Sequence, residues 1–333
     1  MGRSRVLVTG AGGFIGHHLV KRLKADGQWV RGADIKLPEY ESSPADEFEV
    51  LDLRNYESCL LATRGGIDQV YNLAADMGGI GYITAYLADI SRNNILINVN
   101  MLEASRQNSV KRFLFSSSAC VYAQSKQLHP DVTALVEEDA YPAEPEPGYG
   151  WEKLFAEEMC KYYRHDYALS TYAVRFHNVY GPLGTYEGGK EKAPAAISRK
   201  VALAPHGGEI EIWGDGEQTR SFMYVDDCVE GLVRLMASDY HDPLNLGRDE
   251  LVTINQLVDL VCGVANKKLR KRHDLSKPQG VRGRNSDNTR LNRVLGWEPS
   301  ISLEAGLEIT YKWIEQELRK AGRAANQVPN VVV

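Results

Sequence analysis

Tyr149-x-x-x-Lys153 sets a phenol and an ammonium one helical turn apart, on one face. A free phenol titrates at about 10. A positive neighbour stabilises the phenolate and is expected to bring that value down. Such a phenol can take the proton of a substrate hydroxyl as the carbon bearing it is oxidised. A serine-rich stretch lies upstream, and Ser118, ahead of Ser117, is expected to hydrogen-bond the same substrate oxygen. Cys120 follows at the edge where reacting groups belong. Its thiolate is either a base for a carbon acid or, as for most buried cysteines, inert packing. Lys190 and Lys192 stand in the segment GTYEGGKEKAPAA (184–196). Its glycines would let a loop fold over a ligand, and the alternative is a solvated charged loop.

These groups need a scaffold, and the sequence supplies an alternation of short apolar runs and amphipathic stretches. Strands are expected at 5–10, 29–34, 48–52, 69–75, 111–119 and 170–176, with helices at 14–26, 57–64, 90–108 and 149–166 between them. That order gives an α/β fold, a Rossmann-type doubly wound parallel sheet covered on both faces. Gly10-x-x-Gly13-x-x-Gly16 joins the first strand to the first helix. Gly10 turns the chain, Gly13 lets backbone approach a pyrophosphate, and Gly16 packs the helix on the sheet. The phosphates would accept amides of Phe14 and Ile15 at the helix N-terminus. Asp34 ends the second strand, where a carboxylate binds ribose hydroxyls and repels a 2′-phosphate. The expected cofactor is therefore NAD, although Arg31 and Lys36 nearby could serve a phosphate. Asp52 would meet the adenine amine or cap the helix that starts at Tyr56. Leu73, with Ala74 and Ala75, offers the small strand end that a passing dinucleotide needs.

The expected division is a cofactor domain over 1–176, rejoined by a segment near 221–248. A smaller, discontinuous substrate lobe over 177–325 and a tail over 326–333 follow. Asp226-Asp227 is expected to cap a helix over 224–237, and Thr253 one that ends near Val264. The basic stretch 267–285 reads as a turn. With 39 basic and 44 acidic side chains, net charge −5, the chain lacks the basic surface that nucleic acid requires. Its five cysteines include no C-x-x-C, so neither a disulfide framework nor a metal site is expected, and a reducing cytoplasm is. No apolar run reaches membrane-spanning length, and Val6-Leu7-Val8 is too short for a signal segment.

The glycine turn and the Tyr/Lys pair resemble those of the extended short-chain dehydrogenase/reductases, over nearly the whole chain. AADMGGIGY (74–82), SSSACVY (116–122), PAEPEPGYGWEK (142–153), RFHNVYGPLGTYEGGKEKAPAA (175–196), WGDGEQTRSF (213–222) and VRGRNSDN (281–288) are similar to the GDP-mannose 3,5-epimerase branch. The resemblance implies a GDP-sugar substrate whose C4 is transiently oxidised with Tyr149 and bound NAD. Cys120 and Lys192 would then exchange protons at C5 and C3 from opposite faces, and C4 would be reduced again. It also implies that Gly78 and Gly79 line the sugar pocket. Asn178 would touch sugar or diphosphate, and Arg282 would pair with the diphosphate. Arg220 is either a second phosphate ligand or structural, and His177 is read as structural. A homodimer through the helices at 90–108 and 149–166 is expected as well. The rival readings are a 3,5-epimerase of a related GDP-sugar such as a heptose, a C4 epimerase or dehydratase, and a non-catalytic dinucleotide sensor.

Overall fold

Val6, Leu7 and Val8 have no contact with solvent, and this run forms β1 (Arg5–Thr9) inside a seven-stranded sheet. In the computed structural model, which describes residues 4–323, β1 leads to α1 (Phe14–Ala25), β2 (Trp29–Asp34) and β3 (Glu47–Val50). Next come α2 (Tyr56–Thr63), β4 (Gln69–Asn72), α3 (Ile80–Ala85), α4 (Leu87–Gln107) and β5 (Arg112–Ser118). A long connection then reaches α5 (Tyr149–Tyr167) and β6 (Ser170–Phe176). The remainder runs β7 (Val179–Tyr180), α6 (Ala193–Leu203), β8 (Glu209–Trp213), β9 (Thr219–Arg220), β10 (Met223–Tyr224) and α7 (Val225–Ala237). It continues through β11 (Leu244–Leu246), β12 (Val252–Thr253), α8 (Ile254–Val264) and β13 (Arg270–Asp274) to β14 (Gly283–Arg284), α9 (Thr289–Leu295) and α10 (Leu303–Lys320).

The large sheet has the order β11-β6-β5-β4-β1-β2-β3, and each neighbouring pair is parallel. This is the doubly wound α/β sheet expected from the alternation. The chain reverses direction across the sheet between β1 and β4, which opens a crevice at their C-terminal ends. Thr9 braces that point. Its hydroxyl donates to Asn72 Oδ1 at 2.9 Å and accepts from the amides of Leu73 and Ala74 at 3.1 Å. The edge strand β11 returns from beyond the first part of the substrate lobe to pair with β6.

Several local expectations are corrected. Residues 270–274 form a strand, β13, pairing in parallel with β8, where a turn was expected. Arg272 bonds Glu209 and Glu211 at 2.8 and 2.5 Å, so the strand is held by charge and carries no apolar signal. Asp226 and Asp227 do not cap α7, which starts at Val225 after Tyr224 and has no side-chain cap. Asp227 instead accepts the amides of Ser300 and Ile301. Asn55 caps α2, not Asp52. Thr253 does cap α8, in a reciprocal box with Gln256. The expected tail, 326–333, lies outside the described residues.

Candidate active site

The glycine turn leaves no room for side chains. A Cβ on Gly16 would sit 2.1 Å from the Gly10 carbonyl oxygen, and Gly10 itself has φ +69°. α1 starts at Gly13 with no capping side chain, so the first-turn amides of Phe14, Ile15 and Gly16 are free for an anion. Asp34 closes the far side, accepting from Gly12 N at 2.9 Å and Lys36 N at 3.2 Å. Burial holds its carboxyl above the usual range. A shallow cleft opens here, lined by Gly12, Gly13, Phe14, Lys36, Tyr40 and Leu183 among others. Arg31 is not available to a phosphate. It is buried and turned the other way, onto Glu47 and the carbonyls of Ala62 and Arg64. Asp52 is bound by Arg54 at 2.6 Å, and Leu73 abuts the Gly10 turn.

Tyr149 is the first residue of α5 and is buried. The next residue has to be glycine. A Cβ on Gly150 would lie 2.3 Å from the Cys120 carbonyl oxygen, so the helix end and the Cys120 turn are in direct backbone contact. Ser118 lies beside the Tyr149 phenol and favours its ionisation, and it accepts from Cys120 N at 3.2 Å. Ser117 points elsewhere, donating to the buried Glu157 at 2.5 Å. Lys153 Nζ sits 5.3 Å from the Tyr149 ring centre and 3.6 Å from Glu152 Oε1.

The lowering of Tyr149 expected from Lys153 is not supplied by the protein alone. Burial raises the phenol well above its ordinary value, and the Glu152 carboxylate adds to this. Glu152 is in turn fixed by Asn94 and Asn98 of α4, at 2.9 and 3.3 Å. Burial also pushes the Cys120 thiol up, to about 11, against the opposing charge of Arg284.

Lys192 immediately precedes α6, with no hydrogen bond from its side chain to the helix end. Burial lowers its ammonium, while the nearby thiols of Cys120 and Cys228 favour it. Lys190 is engaged differently, by Asp76 and the Tyr82 ring. Gly79 donates to the Lys190 carbonyl at 3.1 Å, and Gly78 packs against Tyr82. Asn178 has φ +42° and donates to the Ser221 carbonyl at 2.9 Å. Among the described residues the Arg220 guanidinium donates to the carbonyls of Thr219 and Gln279. Burial and the charge of Arg284 hold its guanidinium down at about 9. A cation in that condition gains from an added anion. Arg282 is bound by Asp215 at 3.0 Å. His177 is fully buried against Asn245 at 3.0 Å and held down to about 3 by burial, the environment of a structural histidine.

Residues 6–247 match the NAD dependent epimerase/dehydratase family. The chain belongs to that family. It is similar to GDP-mannose 3,5-epimerase of Arabidopsis thaliana, at 48% identity over 95% of this chain and 83% of that one. Among solved structures it resembles UDP-glucose 4-epimerase of Thermotoga maritima, with TM-score 0.85, 28% identity and coverage of 94% and 99%. The UDP-glucose 4-epimerase of Thermus thermophilus in complex with NAD gives 0.80, 25%, 93% and 98%.

The cofactor of this family is NAD, and the glycine turn fits it. Backbone packs where side chains would obstruct a pyrophosphate, free amides face the cleft, and Asp34 is poised for ribose hydroxyls. Three residues that border the candidate site escaped sequence reasoning: Arg284, Glu146 and Glu152. Arg284 donates to Cys120 Sγ at 3.5 Å and to Glu146 at 2.5 Å. The run VRGRNSDN offered Arg284 as readily as Arg282, but nothing local ties it to Cys120.

Proposed function

We propose that this chain is a GDP-mannose 3,5-epimerase. It converts GDP-α-D-mannose to GDP-β-L-galactose, and to GDP-L-gulose when C5 alone inverts. One observation carries the reading: beyond the Tyr/Lys pair, the Cys120 turn packs directly on the Tyr149 end of its helix and Arg284 donates to the Cys120 thiol at 3.5 Å, with Lys192 near enough to feel the charge of that thiol. A C4 epimerase has no use for them. The 48% identity to the Arabidopsis enzyme supports the same substrate.

When bound, NAD would supply a two-electron acceptor for C4 and a positive charge that favours the Tyr149 phenolate. Tyr149 Oη takes the proton of the C4 hydroxyl and later returns it. Ser118 Oγ donates to the C4 oxygen and steadies the charge that gathers there. Cys120 Sγ removes a proton from C5 or C3, both acidified by the C4 ketone, and Lys192 Nζ delivers one to the opposite face. Burial lowers Lys192, which suits an ammonium that must release its proton. Lys153 would hold the nicotinamide ribose. Arg282 and Arg220 receive the diphosphate, and Gly78, Gly79 and Asn178 border the sugar.

The same reading makes the protein a homodimer. α4 and α5 pack side by side and expose Leu87, Ile95, Leu96, Trp151, Phe155 and Tyr162, an apolar surface of the kind that marks an interface. The five cysteines are free thiols, as suits the cytoplasm.

The decisive test is incubation with GDP-mannose in deuterated water, read by NMR and mass spectrometry. Deuterium at C3 and C5, with galacto and gulo products, is expected. Cys120→Ala should abolish that label while keeping the fold and bound NAD. Label-free inversion at C4 would instead assign a C4 epimerase. Label appearing only on another GDP-sugar would move the substrate.

A further inference from the structure

Lys192 has no acidic partner among the described residues, so the position of its ammonium depends on how its backbone is held. Residues 188–192 carry it. Gly188 and Gly189 have φ of +89° and +88° and open space where a Cβ would be. On one side, Glu191 anchors the segment to α6 through Arg199 at 3.1 Å. On the other side stands a cluster at the end of β4. Lys190 Nζ lies 3.4 Å from Asp76 Oδ1 and 3.9 Å from the centre of the Tyr82 ring. The Tyr82 hydroxyl donates to the same Asp76 oxygen at 2.9 Å. Asn93 donates to the other oxygen at 3.0 Å.

Asp76 is a fixed post. Its backbone exchanges two hydrogen bonds with the Asn94 amide, at 2.6 and 3.0 Å. That same Asn94 side chain donates to Glu152 beside Lys153. The cluster therefore joins the Lys192 segment to the helix that bears Tyr149. A half-exposed ion pair contributes little to stability on its own. A cation held between a carboxylate and an aromatic face fixes a direction as well as a distance.

We propose that Lys190 is a positioning residue: clasped between Asp76 and Tyr82, it closes the 188–192 segment so that Lys192 faces Cys120 across the sugar. The proposal rests on the 3,5-epimerase reading for the roles of Lys192 and Cys120, but the clasp itself can be tested without it. Closure is reversible, since the sugar nucleotide must enter and leave, and a clasp with one exposed cation can open where a buried pair could not.

The test compares wild type, Lys190→Met and Lys190→Arg in two assays. Without substrate, a glutamate-specific protease reports exposure of the Glu187–Gly188 bond. Lys190→Met should be cut roughly tenfold faster at unchanged thermal midpoint, and Lys190→Arg should restore protection. With GDP-mannose, deuterium exchange at C3 and C5 should fall roughly tenfold to a hundredfold in Lys190→Met, the cost of misplacing a reacting group. Oxidation at C4, in which Tyr149 takes the hydroxyl proton, should stay within about twofold, and KM should barely move. Lys190→Arg should recover exchange. Unchanged protease protection in Lys190→Met would overturn the clasp. Faster cleavage with full exchange would overturn its positioning role. Inactivity of wild type towards GDP-mannose would reject the substrate reading and leave the protease result to decide the clasp.

Discussion

Arg284 Nη1 lies 3.5 Å from Cys120 Sγ, while its Nη2 is bound to Glu146 at 2.5 Å. A guanidinium fixed on the far side by a carboxylate cannot follow the thiol if the thiol moves. Its charge pulls Cys120 down while burial and Glu146 push it up. Arg284→Gln should leave the thiol higher still and slow C3 and C5 exchange at pH 8 roughly tenfold. The pH–rate profile should shift its rising limb to higher pH, with C4 oxidation preserved. An unshifted limb would mean that Cys120 does not titrate in the exchange step.

Asp34 already accepts two backbone amides and has room left for ribose hydroxyls. With Arg31 turned into its own ion pair, nothing buried nearby welcomes a 2′-phosphate. Asp34→Asn should weaken NAD roughly tenfold, the equivalent of one good hydrogen bond, and narrow the preference over NADP. Calorimetric titration of cofactor-free protein with each dinucleotide measures both. An undiminished preference would locate the discrimination elsewhere in the cleft.

His177 gives a pH dependence with a definite sign. Burial holds it near 3, against an ordinary value of 6.5. Between those values the unfolded chain binds a proton that the folded one refuses. The stability it contributes is complete above about 6.5 and is lost as pH falls towards 3. From pH 6.5 to 5 the loss is about 2 kcal/mol. His177→Gln should flatten the decline of the urea midpoint over that interval. Equal slopes for both proteins would exclude His177 as the cause.

What was legible in the sequence had local spacing behind it. The Gly10–Gly16 turn, Tyr149/Lys153 and the Thr253 box each lie within a turn or two of helix, where period and chemistry coincide. β13 was illegible because its residues, RKRHD, earn their place by pairing with acids on β8. Arg284 and Glu146 are separated by most of the substrate lobe in sequence, and only the tertiary fold brings them to Cys120. The ionisation of Tyr149 went the same way: the neighbour at one turn's spacing was visible, but the burial that outweighs it was not.

Asn245 sits in β11, the last strand of the large sheet, and its side chain receives the hydroxyl of Tyr122 and the ring of His177 and donates to the Leu135 carbonyl. Its amide donates to the buried Glu137. On the ribosome, every one of those partners emerges well before Asn245 does. Until then β6 has a bare edge with unpaired backbone groups, the kind of edge that recruits other chains. The nascent protein must therefore shield that edge, or be shielded, until some seventy further residues have been made. A fragment that ends at Phe176 would present the seven-residue edge of β6, where the folded protein presents on that side only the three-residue edge of β11.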